Sequence, residues 1–200
     1  MTTGIPTCGR LCRGSIVELG WPEEDEFDRL TALRNRPEVR ANFLDSRPLD
    51  PVANRQWLRS GMRRPSEALL AIRLRPDGIL CGMIGWTGWS PETRAPEIGR
   101  IAVDPDAARV IGALRPEGYA GIAVDAARAL CSYLFEVAGA HVLHSTYLAD
   151  NGLAARLNRL VGARIVTGPR VRRPDGTIAN VVNLELTRAE WLEAHARQPA

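Results

Sequence analysis

The chain has 200 residues, 45% hydrophobic and 24% charged, which are the proportions of one globular domain with a full core rather than of a disordered or fibrous chain. Its net charge is only +3 and all 26 basic residues are arginine, which excludes Schiff-base lysine chemistry and a P-loop lysine. The arginines are scattered rather than clustered with aromatics, against a nucleic-acid partner, and no apolar run reaches the roughly 18 residues that cross a membrane.

Residues 1–12 read as a flexible tail without the apolar core of a signal peptide, and 13–200 as a single domain, with the cytoplasm as the expected compartment. Cys8, Cys12, Cys81 and Cys131 are too few and too irregularly spaced for a disulfide framework or a zinc site, so no metal is expected. Residues 14–19 alternate weakly and predict a first strand. Pro22 followed by Glu23, Glu24 and Asp25 opens a helix, because acidic groups favour its positive end. Phe27, Leu30 and Leu33 carry the helical period until Pro37 breaks it near Arg36, and a short restart follows over 38–43. Asp50 caps a helix that runs from Pro51 to Met62. Strands at 68–74 and 79–86 form a hairpin about the Pro76-Asp77-Gly78 turn, and 97–103 is the next strand.

After Gly118 comes a helix whose polar positions, Asp125, Arg128, Ser132 and Glu136, make one narrow stripe; such a helix is nearly buried against a sheet. Gly139 ends it. A strand at 141–148 follows, then a helix over 152–161 capped by Asp150-Asn151 and closed by Gly162. Strands at 164–171 and 178–186, joined through Pro174-Asp175-Gly176, precede a terminal helix at 188–195. This order predicts an α/β (α+β sandwich) architecture: a mixed, mostly antiparallel central sheet with helices on both faces. The strands splay next to the central helix, where a ligand can enter beside the helix N-terminus. The segment leading into that helix exposes free backbone N–H groups and a helix dipole, which suit phosphate.

The same order, with Arg115-x-x-Gly118-x-Ala120 before the central helix, resembles the GNAT superfamily of acyl-CoA N-acyltransferases over roughly residues 13–195. Arg34-Asn35-Arg36-Pro37-Glu38-Val39-Arg40, Glu97-Ile98-Gly99 and Gly118-Tyr119-Ala120 look like the subgroup that acetylates ribosomal-protein N-termini; amino-sugar acetyltransferases carry a segment similar to the first. Asn151, Arg156 and Gly162 match the family's fourth helix. The resemblance implies transfer of an acetyl group from acetyl-CoA to a primary amine of a small molecule, amino sugar or peptide N-terminus. It implies that backbone amides of Arg115, Pro116 (through its neighbours), Glu117, Gly118, Tyr119, Ala120 and Gly121 cradle the pyrophosphate. The pantetheine arm would lie beside Ile101, Ala102 and Val103. Two readings stay beside this one: non-acetyl thioester chemistry, and a coenzyme A binding module without turnover. A homodimer is a further option.

Three departures stand out. Eleven residues, 104–114, separate the strand from Arg115. Asn158 stands where the family often has a tyrosine that protonates the leaving thiolate, so the helix offers the coenzyme an amide instead. Ala154 and Ala163 replace a usual serine and phenylalanine.

Acyl transfer needs a base for the amine and an acid for the thiolate. Glu97, heading the central strand, is the first candidate base; His144 is a second and Tyr147 is a candidate acid. His141 and His144 are three apart on a strand and point to opposite faces, and Ser145 and Tyr147 lie opposite His144. Asn151 bonds the pantetheine, caps its helix, or does both. Trp86 and Trp89 line an acceptor pocket or pack the hairpin end. Arg34, Asn35 and Arg40 read an acceptor or form a solvated helix face. Cys131 falls in the buried helix and reads as a small hydrophobe.

Overall fold

The computed structural model describes residues 9–61, 64, 66–107, 109 and 121–196. Its nine described strands form one sheet in the order β1-β2-β3-β4-β5-β6-β9-β7, with β8 pairing off β9. The strands are β1 (Arg10–Arg13), β2 (Val17–Gly20), β3 (Ala68–Leu74), β4 (Leu80–Thr87), β5 (Glu97–Val103), β6 (Val142–Leu148), β7 (Arg164–Thr167), β8 (Arg170–Arg172) and β9 (Ile178–Thr187). All neighbours run antiparallel except β5 and β6.

Helices cover both faces. Between β2 and β3 lie α1 (Phe27–Asn35), α2 (Pro37–Arg40) and α3 (Pro51–Gly61). The chain breaks between α1 and α2 where Arg36 takes φ −56°, ψ 132°, the extended conformation that a following proline imposes. Asp50 Oδ1 accepts from Ala53 N at 2.8 Å and so caps α3. The central helix α4 (Gly121–Ser132) runs on as a π turn, Tyr133–Val137. Two more helices, α5 (Gly152–Val161) and α6 (Arg188–Ala196), complete the described chain. α5 is held at both ends: Asn151 Oδ1 accepts from Ala154 N, and Gly162 leaves the helix at φ 95°.

The α4 face of the sheet carries the main core, in which Leu130, Leu134 and Phe135 pack on Val17, Leu19, Leu70 and Ile84. The opposite face packs Leu30 and Leu33 of α1 on Ala71, Met83 and Ala102. The polar stripe of α4 is employed rather than solvated at two of its positions. Asp125 accepts backbone N–H groups from Ser15, Ile16 and Val17 at 2.8–2.9 Å and so pins the β1–β2 turn to the helix. Arg128 donates to Leu160 O at 3.0 Å and ties α4 to the end of α5.

Two expectations need correction. Arg10–Arg13 falls in and beside the segment read as a tail, yet forms β1 and pairs with β2. The stretch read as one strand over 164–171 divides into β7 and β8 around Gly168-Pro169, where proline cannot donate to a ladder; both pieces lie on β9.

Candidate active site

β5 and β6 are parallel neighbours with a single registered pair, Glu97 with His144. His144 N donates to Pro96 O at 2.9 Å at that same end. Beyond it the strands part, which leaves the C-terminal half of β5 with free backbone groups on one edge.

β5 also carries a bulge. Gly85 pairs with Gly99 and Met83 with Ala102, so Ile84 alone faces both Arg100 and Ile101. Arg100 absorbs the extra residue at φ 54°, a left-handed conformation that costs a non-glycine residue about 1–3 kcal/mol. Its guanidinium is fixed from the α3 side: one Nη donates to Glu67 at 3.0 Å, and the group stands 5.0 Å from the Trp57 ring centroid. A bulge in a central strand turns backbone amides out of the ladder, and here it does so at the mouth of the gap.

Two cavities open from the gap. The larger, about 430 Å³, lies between Ile101, Ala102 and Val103 of β5, the first turn of α4 from Gly121 to Val124, and Leu153, Arg156 and Leu160 of α5. Glu38 and Val39 of α2 close its far side. Gly121 enters the helix at φ 74°, a conformation that suits only glycine. The smaller cavity, about 170 Å³, passes through the gap itself and is lined by Arg100 and His144 together with Tyr147, Asn158 and core residues of α4. The cavities share Asn42, Phe43, Ile101, Asn151, Ala154 and Leu157, so they lie side by side along one wall.

The expected site residues divide accordingly. His144 lines the smaller cavity, and its Nδ1 lies 3.7 Å from Glu185 Oε1. The β6–β9 register puts His144 and Thr146 on one face with Glu185 and Asn183, and Ser145 and Tyr147 on the other. Tyr147 and Asn158 both line the smaller cavity; Asn158 spends its amide N–H on Ala154 O at 2.9 Å. Asn151 both caps α5 and lines the two cavities. Ile101, Ala102, Val103 and Gly121 line the larger cavity. Arg115, Pro116, Glu117, Gly118, Tyr119 and Ala120 lie outside the described residues.

Four expected residues have other work. Arg34 is 7% exposed, donates to Asp45 O and stacks 3.8 Å from the Phe43 ring centroid, so burial and the 43–45 loop consume it. Asn35 clamps the Leu49 backbone with bonds of 2.7 and 2.9 Å. Trp86 is buried between Trp21 and Tyr133, each 6.4 Å away by ring centroid. Trp89 packs on the core, with its backbone N–H donating to Ser66 O, and neither tryptophan lines the cleft. Glu97, the first candidate base, is exposed and lines neither cavity. Burial pushes the Cys131 thiol up to about 12, which leaves it a neutral wall of the smaller cavity. Among the described residues no cluster of His, Cys, Asp and Glu could hold a metal ion, and no helix is long and apolar enough to cross a membrane.

Arg100, Phe43 and Glu185 were not expected. Gly99 inside a strand was the available signal for the bulge. Phe43 and Glu185 reach the site only through tertiary packing, which spacing does not encode.

The family described as Acetyltransferase (GNAT) domain matches residues 17–164. No curated protein matches the chain. Among solved structures, a GCN5-related N-acetyltransferase from Brucella melitensis superimposes with TM-score 0.70 at 20% identity, covering 93% of this chain and 82% of that one. A spermidine N-acetyltransferase from Vibrio cholerae, solved with CoA and spermine, gives TM-score 0.75 at 13% identity over 88% of this chain and 98% of that one. A GNAT-family acetyltransferase from Bacillus anthracis gives 0.71 at 16% identity, with coverages of 89% and 98%. At these identities the agreement is one of fold.

Proposed function

The chain belongs to the GNAT acetyltransferase family, and from that membership we propose that it moves an acetyl group from acetyl-CoA to a primary amine across the gap between β5 and β6. The observation that carries the reading is that the two cavities adjoin at the gap and share wall residues of β5 and α5. One accommodates a long narrow arm; the other presents an ionisable side chain from each face of the sheet.

The residues present fit coenzyme A. The free edge of Ile101–Val103 offers strand-like hydrogen bonds to the amides of a pantetheine arm, and α4 turns its N-terminus toward the larger cavity, where a pyrophosphate gains from the dipole. Arg156 adds charge on the same wall. Amides freed by the bulge at Arg100 and Ile101 would polarise the thioester carbonyl, since preorganised donors stabilise an oxyanion without moving.

His144 takes the proton from the amine as its nitrogen attacks the carbonyl carbon. A new N–C bond forms and the C–S bond breaks. The Glu185 carboxylate beside the ring is placed to offset the charge that His144 gains. Tyr147, on the opposite face, returns a proton to the leaving thiolate, because Asn158 cannot. Glu97 and Glu185 share the His144 face and make that entrance favourable for a cationic amine. The acceptor is a small molecule, an amino sugar or a peptide N-terminus. Incubating the protein with acetyl-CoA and one member of each class, and weighing the products, tests the reading. An N-acetyl product is expected from at least one class, and no transfer to any would overturn it.

A further inference from the structure

The smaller cavity does not stop at the reacting centre. On the α4 side of the sheet it runs inward between Ala127 and Cys131 of α4, Leu157 and Val161 of α5, and Leu184 and Leu186 of β9. Most of these side chains belong to the main core or pack against it. Protein interiors seldom leave such space open, since each wall atom facing a void loses its dispersion partners. Small side chains leave it open here, with Ala127, Ala154 and Ala163 all on the wall.

Resting on the acetyltransferase reading, we propose that this extension is an acyl-chain pocket, and that the enzyme takes neutral, unbranched acyl groups of about four to six carbons in preference to acetyl. Volume is the first argument. The whole cavity, reacting centre included, measures about 170 Å³ and is partly open; an enclosed apolar cavity of about 150 Å³ holds a benzene-sized guest, so the space exceeds what an acetyl methyl fills. Adjacency is the second. Ile101, Ala154 and Leu157 wall both cavities, so a thioester seated at the bulge can keep its pantetheine in the larger and send its acyl tail into the smaller.

Charge is the third argument. Arg100 is held on the α3 side by Glu67 and Trp57, and His144 faces Glu185 across the register, so the two basic side chains of the cavity lie toward the other face of the sheet. At the inner end Cys131 is a neutral thiol, and the remaining wall named above is aliphatic. The polar side chains on that face, Tyr147 and Asn158, carry no positive charge, so a dicarboxylic acyl group is disfavoured by the cost of burying a charge with no cation beside it.

The test is calorimetric binding of coenzyme A, acetyl-CoA, butyryl-CoA, hexanoyl-CoA and succinyl-CoA, with the transfer rate from each thioester followed in parallel. Butyryl-CoA should bind about tenfold tighter than acetyl-CoA, the gain from two buried methylenes, and succinyl-CoA no tighter than acetyl-CoA. Ala163→Phe fills the pocket and should bring the butyryl-to-acetyl affinity ratio to about one. Ala127→Val reads the same ratio if the phenylalanine prevents folding. A flat or falling affinity with chain length, while coenzyme A itself binds, would overturn the pocket and leave the acetyltransferase reading standing. Failure of coenzyme A to bind would overturn both.

Discussion

Glu97 stands opposite His144 as the only registered pair between β5 and β6, and the two residues nevertheless have different surroundings. His144 lines the cleft with Glu185 beside it; Glu97 is exposed outside it. General-base loss costs typically 10²–10⁴-fold in rate. His144→Ala is therefore expected to lower kcat by about 10²-fold or more, with Glu97→Gln causing a much smaller loss and Glu185→Gln falling between them. Steady-state kinetics over a pH series would check this order. A larger loss from Glu97→Gln would return the base to the strand head.

Asp125 and Gly14 form one structural joint. The carboxylate holds three backbone N–H groups of residues 15–17, and a Cβ on Gly14 would come within 2.3 Å of it. Asp125→Ala should cost about 2–3 kcal/mol, because hydrogen bonds to a charged group are the stronger kind and one replacement breaks three. The melting temperature should drop by about 4–12 °C. Gly14→Ala should also destabilise, and the double variant should fall short of the sum, since both changes disrupt the same contact. Additive losses in thermal melts would show the two acting separately.

Arg34 supports the cleft from behind. It stacks on Phe43, which lines both cavities, and is itself buried. Arg34→Ala should lower stability by about 1–3 kcal/mol and raise KM for the acyl donor at least as much as KM for the amine. A rise confined to the amine would mean that Arg34 contacts the acceptor directly.

Local signals in the sequence located most elements, for identifiable reasons. Pro37 dictates the break at Arg36, Asp50 and Asn151 cap helices as their side chains allow, and Gly162 supplies the left-handed C-terminal residue of α5. The strands at 68–74 and 97–103 lie where their β-branched and apolar runs fall. What was not legible depends on distant partners. Arg10–Arg13 has no alternating pattern, and only its pairing with β2 makes it a strand. Arg34 and Trp86 look like surface or pocket groups in one dimension, yet packing buries both. The bulge at Arg100 had a signal in Gly99, but its effect on the gap follows from the three-dimensional path of β5 beside β6.

The central claim is that coenzyme A binds along β5 between α4 and α5. Thermal melts with and without saturating coenzyme A, on the native protein and on Ala123→Trp, test it most directly, because Ala123 lines the larger cavity. At about 100-fold excess over Kd a native-state ligand adds about 2.7 kcal/mol. The native protein should therefore melt about 5–10 °C higher with ligand, and Ala123→Trp, folded but blocked, should show little shift. No shift in the native protein, or an equal shift in both, would contradict the account.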